Sequence, residues 1–219
     1  AALKQDPIAE LERLYKAINA DESRRDEARA ELVKLQSGDV ENLAIWQRMI
    51  ALSQEQFDQV YGRLGVTFDE TLGESFYNLQ LPGLVEELQG KGIAELSEGA
   101  MVVRFPGDKQ LADKPAIVRK RDGAANYTTT DLATLRYRME TWSPTDIVYV
   151  TDGRQQLHFQ QFFNIFGRWQ ESASAKLEHV WFGSILGPDG KPFKTRSGET
   201  VRLADLIDEA EDRASAVVR

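Results

Sequence analysis

Arg121-Asp-Gly-Ala-Ala-Asn-Tyr-Thr-Thr-Thr-Asp-Leu-Ala133 opens the deciding stretch, an amphipathic run continues to Trp142, and Ile147-Val-Tyr-Val150 and Thr151-Asp-Gly-Arg-Gln-Gln-Leu-His158 close it. The order is loop, helix, short strand, polar loop. Asn126, Tyr127 and Asp131 stand before the strand; Asp152, Arg154, Gln155 and His158 stand after it. Ligands of an open α/β sheet bind at the carboxyl ends of its strands, and the second group lies at such an end. Leu132, Leu135, Met139 and Trp142 give the helix one buried stripe, Thr128, Thr129 and Thr130 offer caps at its start, and Pro144 blocks its continuation. The uninterrupted apolar run 147–150 reads as a buried parallel strand.

Beyond this stretch, residues 156–169 read as a helix whose Phe159, Phe162, Phe163 and Phe166 form a core stripe. A strand follows at Val180 to Leu186, a turn at Gly187-Pro-Asp-Gly190, and a basic loop at Lys191-Pro-Phe-Lys-Thr-Arg-Ser-Gly198. Leu203, Leu206, Ile207 and Ala210 begin a last helix that reaches the chain end uncapped, which suggests a cut chain. Before the stretch, Ala100 to Phe105 and Pro115 to Val118 read as strands, and Leu84 to Gln89 as a helix. Thr71 to Tyr77 reads as a loop or turn, and Val66-Thr-Phe68 as a short apolar segment. The alternation after residue 100 predicts the later part of a parallel α/β sheet.

Residues 1–65 differ in kind. Asp6-Pro7, Asp21 and Gly38-Asp39 carry helix-start signals, Ile8, Leu11, Leu14, Tyr15 and Ile18 recur at helical spacing, and Gly65 stops a long third helix. The fold class is therefore α/β, with an all-helical region at 1–65 ahead of an α/β part at 66–219. The charged helical faces read as solvated surface and carry no assigned chemistry.

The 219 residues are 42% hydrophobic and 28% charged, with a net charge of −8. This acidity argues against a nonspecific nucleic-acid coat but leaves a local RNA contact open. No cysteine is present, and the two histidines are His158 and His179, so thiolate and multi-histidine metal sites are not expected. No apolar run approaches the roughly 20 residues that span a bilayer and no signal peptide opens the chain, so a cytoplasmic location is the default. A P-loop, a Gly-x-Gly-x-x-Gly and a nucleophile elbow are all missing.

Tyr127 and Asp131 are four apart and share a helix face if the helix starts at or before Tyr127. A carboxylate beside a phenol suits a cationic ligand, above all the planar fork of a guanidinium; the alternative is that Asp131 merely favours the helix start. Gln155 can hydrogen-bond an amino acid, and His158 can donate to a phosphate or ribose or else serve structure alone. Lys191, Lys194 and Arg196 could steady a transferring phosphoryl group or simply be solvated.

Taken together, three blocks resemble the arginyl-tRNA synthetases of class I: Asp122 to Ala133 with Arg136-Tyr-Arg138, Asp152 to Gln161, and Phe182 to Glu199. The helical start and Gly73-Glu-Ser-Phe-Tyr77 are similar to the segment joining the two halves of the family's catalytic fold. The resemblance implies the second half of a Rossmann-like parallel sheet behind a helical connecting region. It implies formation of arginyl-adenylate from L-arginine and ATP, with Mg2+, and transfer to tRNA(Arg). By the same resemblance, Tyr127, Asp131 and Gln155 would bind arginine, and His158 and Lys191 would lie near ATP. Lys194 and Arg196 would act in a loop similar to the mobile Lys-Met-Ser-Lys loop, here degenerate. The family's His-x-Gly-His motif is absent from these residues. The expectation is an internal fragment, inactive alone, whose half sheet exposes apolar edges and leaves self-association open. The alternative is a free-standing, non-catalytic paralogue that binds arginine or a partner.

Overall fold

A computed structural model describes residues 3, 6–170, 175–183, 186 and 202–218. The chain divides into two compact units, residues 1–70 with 186–219, and residues 71–185.

In the first unit three carboxylates cap the starts of helical segments. Asp6 accepts the Ala9 amide at 3.0 Å and sets Pro7 at the first position of α1, Pro7–Ala20. Asp21 accepts the Ser23 amide and starts a 3-10 turn, Glu22–Arg24, that runs into α2, Arg25–Gln36. Asp39 accepts the Asn42 amide at 3.0 Å and starts α3, Val40–Leu64. Gly65 ends α3 at φ +65°, where the Val66 amide returns to the Tyr61 carbonyl at 2.9 Å. This closure favours glycine because a Cβ opposes positive φ. The short apolar segment at 66–68 forms no strand; Phe68 folds back edge-on against Tyr61, with ring centres 4.8 Å apart. Pro7 is the one buried residue among the described residues of this unit.

The last helix, α7, Leu203–Val218, was expected with the α/β part but groups with the N-terminal helices. Arg63 on α3 reaches Asp208 at 2.7 Å and Glu211 at 3.1 Å, and Arg202 reaches Asp6 at 3.0 Å. Such exposed pairs add little to stability.

The second unit carries the buried core. A 3-10 segment, Glu74–Gln80, lies where a loop was expected and leads into α4, Leu81–Gly90, which buries Leu81, Leu84, Val85 and Leu88. Three strands follow: β1 Glu95–Ser97, β2 Ala100–Val103 and β3 Ala116–Arg119. They form an antiparallel meander in the order β1-β2-β3. This corrects the expected parallel pairing of the strands near 100 and 116. The connection from β2 to β3, residues 104–115, is built of turns rather than the helix that a parallel crossover uses; ahead of β2, Glu98 and Gly99, at φ +48° and +83°, make a two-residue turn between the paired Ser97 and Ala100. Positive φ at both turn positions is the geometry of a tight hairpin, and it also creates β1, a strand the sequence did not reveal.

Helix α5, Tyr127–Trp142, strand β4, Asp146–Asp152, a 3-10 turn, Gly153–Gln155, helix α6, Gln156–Trp169, and strand β5, Lys176–Phe182, complete the unit. β4 and β5 pair in parallel from Asp146↔Lys176 to Asp152↔Phe182, as expected for this part of the chain. On α6, Phe159, Phe162, Ile165, Phe166 and Trp169 are buried, so the aromatic stripe is core. Trp169 donates its indole N–H to Glu87 at 2.8 Å, and Arg136 lies over the Trp169 ring, which ties α4, α5 and α6 together. The expected burial of β4 on both faces is corrected: Val148 and Val150 are 53% and 62% exposed, while Ile147 is buried. Tyr149 packs against Phe159, Phe162 and Phe163, so α6 covers one face and leaves the alternate residues open.

Candidate functional site

The site is built where the start of α5 meets the start of α6, beside the carboxyl end of β4. A tight loop brings β3 into α5. The Lys120 amide bonds the Ala124 carbonyl at 2.8 Å, Gly123 sits at φ +88°, and Asp122 accepts the Ala124 amide at 3.0 Å. Asn126 then caps α5. Its Oδ1 accepts the Tyr127 amide at 3.0 Å, and its Nδ2 donates to the Ile117 carbonyl at 3.0 Å. The expected capping threonines are corrected: Thr128, Thr129 and Thr130 lie inside the first turn and are buried. Thr129 turns its hydroxyl back to the Val118 carbonyl of β3. A cap needs an extended backbone, and Asn126 already supplies it one residue before the helix.

With Tyr127 at the first helical position, Tyr127 and Asp131 fall on one face one turn apart. At the carboxyl end of β4, Asp152 accepts the Arg154 amide and the Arg154 Nε, both at 2.8 Å. This shapes the turn that leads into α6. Gly153 fits tightly there: a Cβ would stand 3.1 Å from Trp181. Gln155 is exposed at the end of the turn, and His158 is buried on the first turn of α6.

The structure joins two of the expected residues directly. His158 Nε2 and Asp131 Oδ2 are 2.5 Å apart. The Tyr127 ring meets the His158 ring edge-on, 4.7 Å between centres. Gln155 takes no part in this pair. Lys191, Lys194 and Arg196 lie outside the described residues. The residues alone leave His158 open between a phosphate or ribose contact and a structural role, the resemblance places it near ATP, and neither connects it to Asp131. The two are 27 positions apart, and only the packing of α5 on α6 makes them neighbours.

A second ring group lies behind the first. His179 on β5 stacks on Phe159 at 4.1 Å and shares a 2.8 Å hydrogen bond with the Thr151 hydroxyl. Burial, then the neighbouring His158, holds the His179 pKa below its ordinary value. Burial also pushes the Tyr149 phenol up to about 12, against the opposing charge of Arg138. Neither histidine belongs to a metal-like group, since among the described residues no three His, Cys, Asp or Glu side chains gather. Among these residues no helix is long and apolar enough to cross a membrane.

An open carboxylate beside a phenol, held on a rigid helix start, can take a flat cation in two parallel hydrogen bonds. The family described as tRNA synthetases class I (R), catalytic domain, matches residues 1–219. The arginine–tRNA ligase of Frankia casuarinae is 45% identical over 221 residues, covering 96% of this chain and 37% of that protein. The arginine–tRNA ligase of Rhodopirellula baltica is 46% identical over 188 residues, covering 86% and 27%. The chain thus spans well under half the length of these relatives. Among solved structures, the arginyl-tRNA synthetase of Plasmodium falciparum superposes with a TM-score of 0.73 at 27% identity, over 90% of this chain and 32% of that one. The Thermus thermophilus arginyl-tRNA synthetase gives 0.69 at 19% identity, over 94% and 40%, and speaks for the fold alone.

Proposed function

We propose, from the premise that this chain belongs to the catalytic-domain family of the class I tRNA synthetases for arginine, that it carries the arginine-recognition part of an arginine–tRNA ligase. The whole protein joins L-arginine to ATP, giving arginyl-adenylate and pyrophosphate, and passes the arginyl group to tRNA(Arg). The observation that carries this reading is the placement of Asp131 beside Tyr127 at the start of α5.

In this reading the Asp131 carboxylate pairs the substrate guanidinium in bidentate fashion. Tyr127 walls the pocket and sets its shape. Gln155, exposed at the carboxyl end of β4, hydrogen-bonds the amino-acid end. Lys191, Lys194 and Arg196 serve the ATP phosphates, with Lys194 and Arg196 closest to the charge that develops on transfer. The described residues do not fit an all-protein Mg2+ site; a Mg2+ ion would come held largely by the triphosphate. The sequence has no His-x-Gly-His motif, so the isolated chain forms no arginyl-adenylate. The activity belongs to the cytoplasm, where tRNA is charged.

The test is tRNA charging by the full-length protein, with arginine and ATP varied separately. Asp131→Asn keeps the shape and removes the charge. Loss of a charge-assisted pair is worth about 2–3 kcal/mol, so the arginine KM rises about 30-fold to 150-fold while the ATP KM holds. An unchanged arginine KM overturns the reading.

A further inference from the structure

The geometry points to His158 as a positioning residue that holds the Asp131 carboxylate in place for a guanidinium, and not as a nucleotide contact. This rests on the reading that Asp131 pairs the substrate.

One ring nitrogen of His158 is paired and the other is sealed from solvent. Nε2 faces Asp131 Oδ2 at 2.5 Å. Nδ1 is fully buried and has no hydrogen-bond partner. A proton on Nδ1 would be a buried, unpaired donor, which is costly. The ring therefore carries its hydrogen on Nε2 and donates it to Asp131. Neither nitrogen is left to meet a phosphate or a ribose.

The ring itself cannot drift. Phe162 lies parallel to it at 5.9 Å, while Phe159 and Tyr127 meet it edge-on at 5.3 and 4.7 Å. Phe159 and Phe162 are buried core residues. The His158 side chain is 10% exposed and that of Asp131 is 37% exposed. The core thus fixes the imidazole, the imidazole fixes one carboxylate oxygen, and the carboxylate keeps an open surface. Recognition of a planar fork depends on such a fixed carboxylate plane.

The experiment uses the full-length protein and measures KM for arginine and for ATP in tRNA charging, together with melting temperature. His158→Phe keeps an aromatic ring and removes the N–H. His158→Gln keeps an N–H at similar reach. The expected result is an arginine KM raised about tenfold in His158→Phe, as for loss of one hydrogen bond to a charged group, with the ATP KM unchanged. His158→Gln recovers most of the loss, and His158→Phe adds little once Asp131→Asn is present, because the two act as one unit. A raised ATP KM with normal arginine KM overturns the inference in favour of a nucleotide contact. Equal losses in the Phe and Gln variants, tracking melting temperature, overturn it in favour of a purely structural histidine. If Asp131→Asn leaves the arginine KM unchanged, the pocket assignment and this inference both fall. A normal His158→Phe beside a defective Asp131→Asn removes this inference alone.

Discussion

Asn126 bonds β3 and α5 at once, donating its Nδ2 to the Ile117 carbonyl at 3.0 Å and accepting the Tyr127 amide on Oδ1 at 3.0 Å. One side chain therefore sets where α5 begins and, through that, the direction of Tyr127 and Asp131. Asn126→Ala removes both bonds and is expected to cost about 2 kcal/mol, a helix cap plus an orphaned carbonyl. Asn126→Asp keeps a capping acceptor and loses the donor, so its loss is about half as large. Urea denaturation of the two variants checks the order; equal stabilities of the two would show that the cap on the Tyr127 amide contributes nothing.

Tyr149 makes the fold sensitive to alkali. Its phenol is raised from 10.0 to about 12 by burial, and its hydroxyl has no hydrogen-bond partner. Below pH 10 the group is protonated in both folded and unfolded chains, and its contribution is fully present. As pH rises from 10 towards 12 the unfolded chain ionises first, so that stability is lost, on the order of 2 kcal/mol in all. Tyr149→Phe cannot ionise and also removes an unpaired buried hydroxyl. Its stability relative to the parent chain should grow between pH 9 and pH 11, as read by denaturant midpoints. A difference that stays constant across that range would rule out a raised phenol.

Local chemistry was legible in the sequence, and pairing across distance was not. Asp6, Asp21, Asp39 and Gly65 each act within four residues, so the residue types alone located the ends of the helices. The same holds for Tyr127 and Asp131, which one helical turn brings together. The threonines at 128–130 misled because Asn126, two residues earlier, had already made the cap. The apolar run of β4 reads as covered on both faces, yet composition cannot say which neighbour covers which face. The hairpin of β1 and β2 turns on positive φ at Glu98, which a glutamate gives no sign of adopting. His158 and Asp131 needed the packing of two helices to meet.

Gly153 is held by packing rather than by its backbone angles. A Cβ there would lie 3.1 Å from Trp181 Cδ1 and 3.6 Å from the Phe182 carbonyl. Trp181 is half-exposed and can swing aside, so Gly153→Ala should cost no more than about 1 kcal/mol and alter tryptophan emission. Gly153→Val adds a branch that also presses on the carbonyl and should cost about 2 kcal/mol, in the range for overpacking. Fluorescence-monitored urea titrations distinguish the two; a valine tolerated as well as alanine would show that the turn has room to spare.

The open face of the β4–β5 pair predicts how the isolated chain behaves. Val150 pairs with Val180, and Phe182 lies one step further along the same face, with Val148 next to Val150 on it. All four are exposed. A contiguous apolar strip of this kind favours association, and the chain is expected to show a concentration-dependent rise in mass by sedimentation velocity. Val150→Lys places a charge at the centre of the strip and should shift the chain towards monomer. Its melting temperature should stay within a few degrees of the parent, because Val150 contributes little burial to the core. A parent chain that is monomeric at every concentration tested would mean that this face is too small, or too polar at its Glu178 and Asp152 margins, to hold two copies together.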